Sequence, residues 1–310
     1  MDTPPVHAPL PRVPWQWTGN HWLALPCIHP ADASLHAVGM LHRGSRAAIE
    51  FAGAVDFVDG GGAPLARPTL TVDGVVAPLG ADGLAWERAV GWLPTFTATT
   101  HGMTVRGTVF APFGRDADLA GAVYALSIEN RSTQRHTVGV ALEGGLGARQ
   151  LRVRSARQFD DAHRVSVVDA GGLPSVVLEG AALPGLVALA IGADAEAQVT
   201  ADPHSGRYRV AREVDVPPGR SVQVAFFLAA GPERDGACAT LAVMRRRGWR
   251  ELLGLTRDAL QSLEQVTGHE SVDRVVNRNL LFAYFFAVGR AIDDAQYYFV
   301  RTRAPWHPEG

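Results

Sequence analysis

The chain has 310 residues, 31 acidic against 29 basic, and every basic one is arginine, since no lysine occurs. A Schiff-base lysine, the cofactor lysine of pyridoxal enzymes, the P-loop lysine and the kinase strand lysine are therefore excluded. A formal charge of −2 leaves no electrostatic footprint for nucleic acid, and 47% hydrophobic with 19% charged residues marks a globular protein able to bury a core.

Pro4, Pro5, Pro9, Pro11 and Pro14 make residues 1–15 an extended arm. The opening Met1-Asp2-Thr3-Pro4-Pro5 lacks the basic start and apolar core of a signal peptide, so a cytoplasmic location is expected. Residues 16–232 read as short β-strands separated by turns. Alternation is clear in Thr69-Leu70-Thr71-Val72-Asp73-Gly74-Val75-Val76, where Asp73-Gly74 predicts a hairpin turn. Further strand-like runs are Thr104 to Phe110, Ala122 to Glu129, Thr137 to Leu142, Val165 to Asp169, Ser175 to Glu179, Leu186 to Ile191 and Ser221 to Leu228. Strands so short and so punctuated by glycine and proline predict a large antiparallel sandwich rather than βαβ units.

After Gly231-Pro232 the period changes. Leu241, Met244, Leu252, Leu255, Ala259, Leu263 and Val266 recur at three or four residues and predict one long amphipathic helix over 237–266. Its arginines, Arg245, Arg246, Arg247 and Arg250, are expected on a solvated face, and close packing is the expected reason for Gly254. Thr267-Gly268-His269-Glu270 has the spacing of a capping box for a second helix, Ser271 to about Arg290. That helix is amphipathic at first, with Val272, Val275 and Val276, and then apolar all round from Leu280 to Val288. Nine residues are far fewer than the roughly 20 of a membrane span. A helix apolar on every side must be covered on every side. Residues 233–310 are thus expected to be a helical linker and the truncated start of a helical domain whose remainder, or a partner, supplies the cover; the alternative is a helix buried between the sandwich, its neighbour helix and the C-terminal tail.

In order and pattern the chain resembles glycoside hydrolases and phosphorylases built on an α/α toroid, the glucoamylase-like, six-hairpin glycosidase superfamily. The likeness is carried by Gly19-Asn20-His21-Trp22, Ala48-Ile49-Glu50-Phe51-Ala52-Gly53, Leu93-Pro94-Thr95-Phe96 and Gly107-Thr108-Val109-Phe110. It continues through Arg247-Gly248-Trp249, Asn277-Arg278-Asn279-Leu280-Leu281-Phe282 and Val300-Arg301-Thr302-Arg303-Ala304-Pro305. The resemblance implies a mainly β fold with C-terminal α: an antiparallel β-supersandwich, then two or more helices forming the linker and the start of a toroid. In that family the catalytic carboxylates lie in the barrel, so no position here receives them. Where relatives continue into an aromatic and acidic stretch, this sequence reads Trp306-His307-Pro308-Glu309-Gly310. A fragment of a longer enzyme and a stand-alone sandwich that associates with a separate barrel chain are both open.

Other constellations are weak. Glycosidic cleavage needs two carboxyls facing one cavity; Asp160-Asp161 and Asp293-Asp294 are sequence neighbours that rarely do so, Glu309 is no better placed, and Asp293 is as well read as a cap. His21, His29, His36 and His42 are spaced eight, seven and six residues apart, which builds no local chelate, so no metal or cofactor is expected. Cys27 reads as a buried, inert thiol, and no Gly-x-Ser-x-Gly elbow occurs. Of seven tryptophans, Trp15, Trp17 and Trp306 flank segments without a strong core pattern and are candidates for packing on a sugar face. Arg301, Arg303 and Trp306 are the candidate substrate-binding residues, because arginine forks bind carboxylates and polar sugars. Three functions follow: a non-catalytic sandwich and linker bracing a helical barrel, with an oligosaccharide or glucoside as ligand and a partner chain or homodimer as cover; a stand-alone carbohydrate-binding module; and a mutarotase-like enzyme using histidine and a carboxylate.

Overall fold

The computed structural model describes residues 15–44, 47–55, 62–146, 151–154, 159–161, 163–180 and 187–299. Its centre is an antiparallel sheet of eight strands, in the order His163–Asp169, Pro174–Gly180, Ala188–Ala193, Ser221–Gly231, Gly121–Asn130, Met103–Phe110, Leu93–Thr100 and Ala85–Ala89. A six-stranded sheet begins with Gln16–Gly19, Leu23–Ile28, Ala37–His42 and Ala47–Ala52, and a five-stranded sheet is built around Arg207–Val216 and His136–Gly145. Both pack on one face of the central sheet, and helices pack on the other.

This layering explains the two strand patterns in the sequence. Strand Ser221–Gly231 sends Val224, Phe226 and Leu228 into the core between sheets. It sends Ala225, Phe227 and Ala229 into a second core under the helices, so it reads as an unbroken apolar run. Strand Arg67–Val72, in an outer layer, alternates buried and half-buried residues. Asp73 and Gly74 turn it into Val75–Val76 with φ of 49° and 79°, the doubly left-handed turn anticipated from Asp-Gly.

Three helices follow: α1 (Arg234–Arg247), α2 (Trp249–Ser262) and α3 (Glu270–Phe286). The single helix expected over 237–266 is in fact two. Gly248 has φ 80°, a conformation that glycine adopts without strain, and its N–H donates to Met244 O at 2.9 Å, closing α1. Arg245 is not solvated. Its guanidinium donates to the carbonyls of Ala193 (2.8 Å) and Ala170 (2.7 Å), and more weakly to those of Leu173 and Pro174. Gly254 faces open space, so no close contact accounts for it. α3 starts at His269 without a side-chain cap there; instead the Asp273 carboxylate accepts the N–H of Thr267 at 2.7 Å and its hydroxyl. After α3, strands Val288–Arg290 and Tyr297–Phe299 form a hairpin.

Candidate functional site

The sequence singles out α3, and the structure shows what holds it. Its last turns sit in an aromatic seat: Phe285 is fully buried, with its ring 4.8 Å from Trp92 and 4.8 Å from Phe113. Trp92 is itself pinned, donating Nε1–H to Gly19 O at 2.8 Å. Leu281 and Phe286 complete the buried set. The first turns are held to the loop before them by Asn277, whose side chain accepts from Gln265 N at 2.7 Å and donates to Gln265 O at 2.9 Å.

At 100° per residue, Val272, Val276 and Leu280 fall in one row on the side turned away from Leu281 and Phe285. They are 46%, 38% and 39% exposed, and Tyr284 is exposed beside them, while Val275 and Phe282 are exposed toward Trp17 and the cleft described below. The hairpin that follows adds Phe299, 91% exposed. This is an apolar surface of the kind that marks contact with another element.

The hairpin is fastened to the sandwich. Arg290 N–H donates to His21 O at 2.7 Å and Ile292 N–H to Leu41 O at 2.8 Å. The Arg290 guanidinium pairs with Asp118 and lies 4.1 Å from the centre of the Trp22 ring. Asp293 accepts the N–H groups of Arg43 and Gly44, both at 2.8 Å. Burial alone would raise its carboxyl, but those two N–H groups, with its own N–H and the nearby His42, together hold it below the usual range. Asp294 accepts from Tyr298 Oη at 2.6 Å and from the Gln296 N–H at 2.9 Å. The Asp293-Asp294 pair is thus a turn clamp, its carboxyls taken up by the backbone N–H groups of Arg43, Gly44 and Gln296 and by Tyr298.

Beside the inner face of α3 lies a cleft of about 850 Å³, lined among others by Trp15, Trp17, Arg88, Leu263, Arg278 and Leu281. The Arg88 guanidinium stacks 4.3 Å from the centre of the Trp17 ring, and that of Arg278 lies 5.9 Å from it. Burial, with the Arg278 charge adding to it, pushes Arg88 down to about 10.

The remaining candidates disperse. His29 and His36 stack at 5.4 Å under the edge of Trp15, but His21 lies in the α3 seat and His42 beside Asp293. Among the described residues no three His, Cys, Asp or Glu side chains are grouped to hold a metal ion. Ser34 Oγ donates to Asp32 Oδ1 at 2.7 Å and meets His36 Nε2 at 3.0 Å, with both Ser34 and His36 buried. Cys27 is buried, and that burial, with Glu50 nearby, pushes its thiol up to about 12, which removes it as a nucleophile. Arg301, Arg303, Trp306 and Glu309 lie outside the described residues, as do the side chains of Asp160 and Asp161. Sequence reasoning missed Arg88 as a site residue. It stands 190 positions from Arg278, and no local motif marks a pair that only the fold brings together.

No family model matches the chain, and no curated protein does. Among solved structures it is similar to a protein assigned as a kojibiose phosphorylase from the human microbiome, with a TM-score of 0.56 at 10% identity, over 88% of this chain and 39% of that one. It is similar also to a bacterial glucoamylase solved with acarbose, with a TM-score of 0.51 at 9% identity, over 90% of this chain and 42% of that one. At such identities the likeness is of fold alone, and it is the fold that the sequence resemblance implied. The chain spans about two fifths of the length of these solved chains.

Proposed function

From a fold shared with carbohydrate-active enzymes, we propose that this chain is the non-catalytic sandwich and linker of a glycoside hydrolase-like enzyme. Its role is to brace a helical catalytic barrel, supplied by a longer form of the chain or by a partner chain. The observation that carries this reading is the outer row of α3. Val272, Val276 and Leu280 form the four-residue ridge by which one helix packs into the grooves of another. A helix rooted at Phe285 and apolar on its free side is suited to be the first of a layer. Arg301, Arg303 and Trp306 follow the hairpin in sequence, and we assign them to contact with the barrel or with the sugar it holds.

The test has two arms. The isolated chain is assayed on α- and β-glucosides, and on disaccharides with phosphate; turnover at an enzymatic rate overturns the non-catalytic role and favours the mutarotase-like or glycosidase alternatives. Light scattering and amide exchange then examine α3. Association through the ridge, or rapid exchange in the first turns of α3, is expected, whereas a clean monomer with a protected α3 removes the argument for a further layer. Reading the coding frame beyond codon 310 decides between a longer chain and a partner.

A further inference from the structure

Three guanidiniums line the cleft on the inner face of α3: Arg274 pairs with Glu270 at 2.8 Å, which leaves Arg88 from strand Ala85–Ala89 and Arg278 from α3. Among the described residues neither has a carboxylate partner. Elsewhere the half-buried guanidiniums are matched: Arg212 pairs with Asp194 at 2.5 Å, Arg234 with Glu179 at 2.9 Å and Arg290 with Asp118, while Arg245 is surrounded by carbonyls. Arg88 donates only to neutral oxygens, Trp17 O at 3.0 Å and Gln16 Oε1 at 3.2 Å. Three carboxylates also line the cleft: Glu270 is matched by Arg274 at 2.8 Å, Asp273 keeps its charge while accepting from Thr267, and neither Asp273 nor Glu264 forms an ion pair with Arg88 or Arg278.

A guanidinium fork holds a phosphate or a carboxylate through paired N–H donors, and two guanidiniums beside one indole, neither paired with a carboxylate, can share an external anion. The cleft has the volume of a small-molecule site rather than of a single ion. Trp15 lines it as well, and an indole is the kind of side chain on which the C–H face of a sugar ring packs. We propose that this cleft binds an anionic saccharide, its phosphate or carboxylate held between Arg88 and Arg278 and its ring against Trp15. The site is separate from the docking row, which occupies the opposite side of α3, and it stands whether or not that row finds a partner.

Isothermal titration of the full 310-residue chain with glucose 6-phosphate, glucuronate, glucose and inorganic phosphate tests this directly. At least one of the two acidic sugars is expected to bind saturably, about tenfold or more tighter than glucose and than inorganic phosphate, and more weakly as salt is raised. Binding of glucose 6-phosphate alone identifies a phosphate ligand, and binding of glucuronate alone a carboxylate. Arg278→Gln removes an exposed guanidinium and is expected to lower that affinity about tenfold while leaving the circular dichroism unchanged. Arg88→Gln is expected to do the same, and Val276→Ser on the outer row is expected to leave binding intact. Glucose binding as tightly as the acidic sugars, inorganic phosphate binding as tightly, no binding of either acidic sugar, or an unaltered affinity in Arg278→Gln would each overturn the proposal.

Discussion

Helices α1 and α3 invert one another. α1 is rich in arginine, yet it lies flat on the central sheet, burying Ala237, Leu241 and Met244, and even Arg245 is taken in by four backbone carbonyls. α3 is rich in Val, Leu and Phe, yet it buries only Leu281, Phe285 and Phe286 and leaves its outer row in solvent. Burial is therefore decided by which element lies opposite a helix, not by what the helix is made of. A polar side chain goes inside when carbonyls wait for it, and an apolar one stays outside when nothing faces it.

That contrast can be broken by substitution. Phe285→Ala empties the seat of α3 and should cost about 3–5 kcal/mol in denaturant unfolding; a loss below about 1 kcal/mol would mean that α3 is not rooted there. Acid should test the sandwich beneath. Burial, with His29 beside it, pushes His36 down to about 4, so the unfolded chain takes up this proton first as pH falls below about 6.5. Stability should be full above that pH and should fall by about 3 kcal/mol by pH 4 from this group, a slope that His36→Gln flattens. On α1, Arg245→Met strands the carbonyls of Ala170 and Ala193 and should cost about 2 kcal/mol. The smallest effect belongs to the outer row: Val276→Ser should change the stability of the isolated chain by no more than about 0.5 kcal/mol. A larger loss there would show that the row is already covered, and the inversion of the two helices would disappear.

Much of this fold was legible because strands covered on both faces, such as Ser221–Gly231, and Asp-Gly turns such as Asp73-Gly74, declare themselves locally. The apolar excess of α3 was legible for the same reason, since a periodicity that fails to separate two faces is itself a signal. The break at Gly248 was not, because a lone glycine in a helical pattern is tolerated as often as it terminates. Arg245 was misread as solvated because the carbonyls it satisfies come from a strand and a turn 52 to 75 residues away. The cleft was hidden for that reason too. Arg88 and Arg278 acquire meaning only once strand Ala85–Ala89 and α3 share a wall.

The double fastening of α3 has a kinetic side. Phe285 roots the helix in its seat, while Asp293 and Arg290 staple the following hairpin to the Arg43–Gly44 turn and to Asp118. The last turns of α3, and Leu280 with them, are thereby held in place before any partner arrives. Little chain entropy remains to be lost there on association, so the free energy gained by burying Leu280 goes almost undiminished into lifetime, while the first turns, with Val272 and Val276, order as the partner docks. Loosening the staple, for instance through Asp293→Ala, should then leave encounter rates nearly unchanged and shorten the residence time of whatever docks.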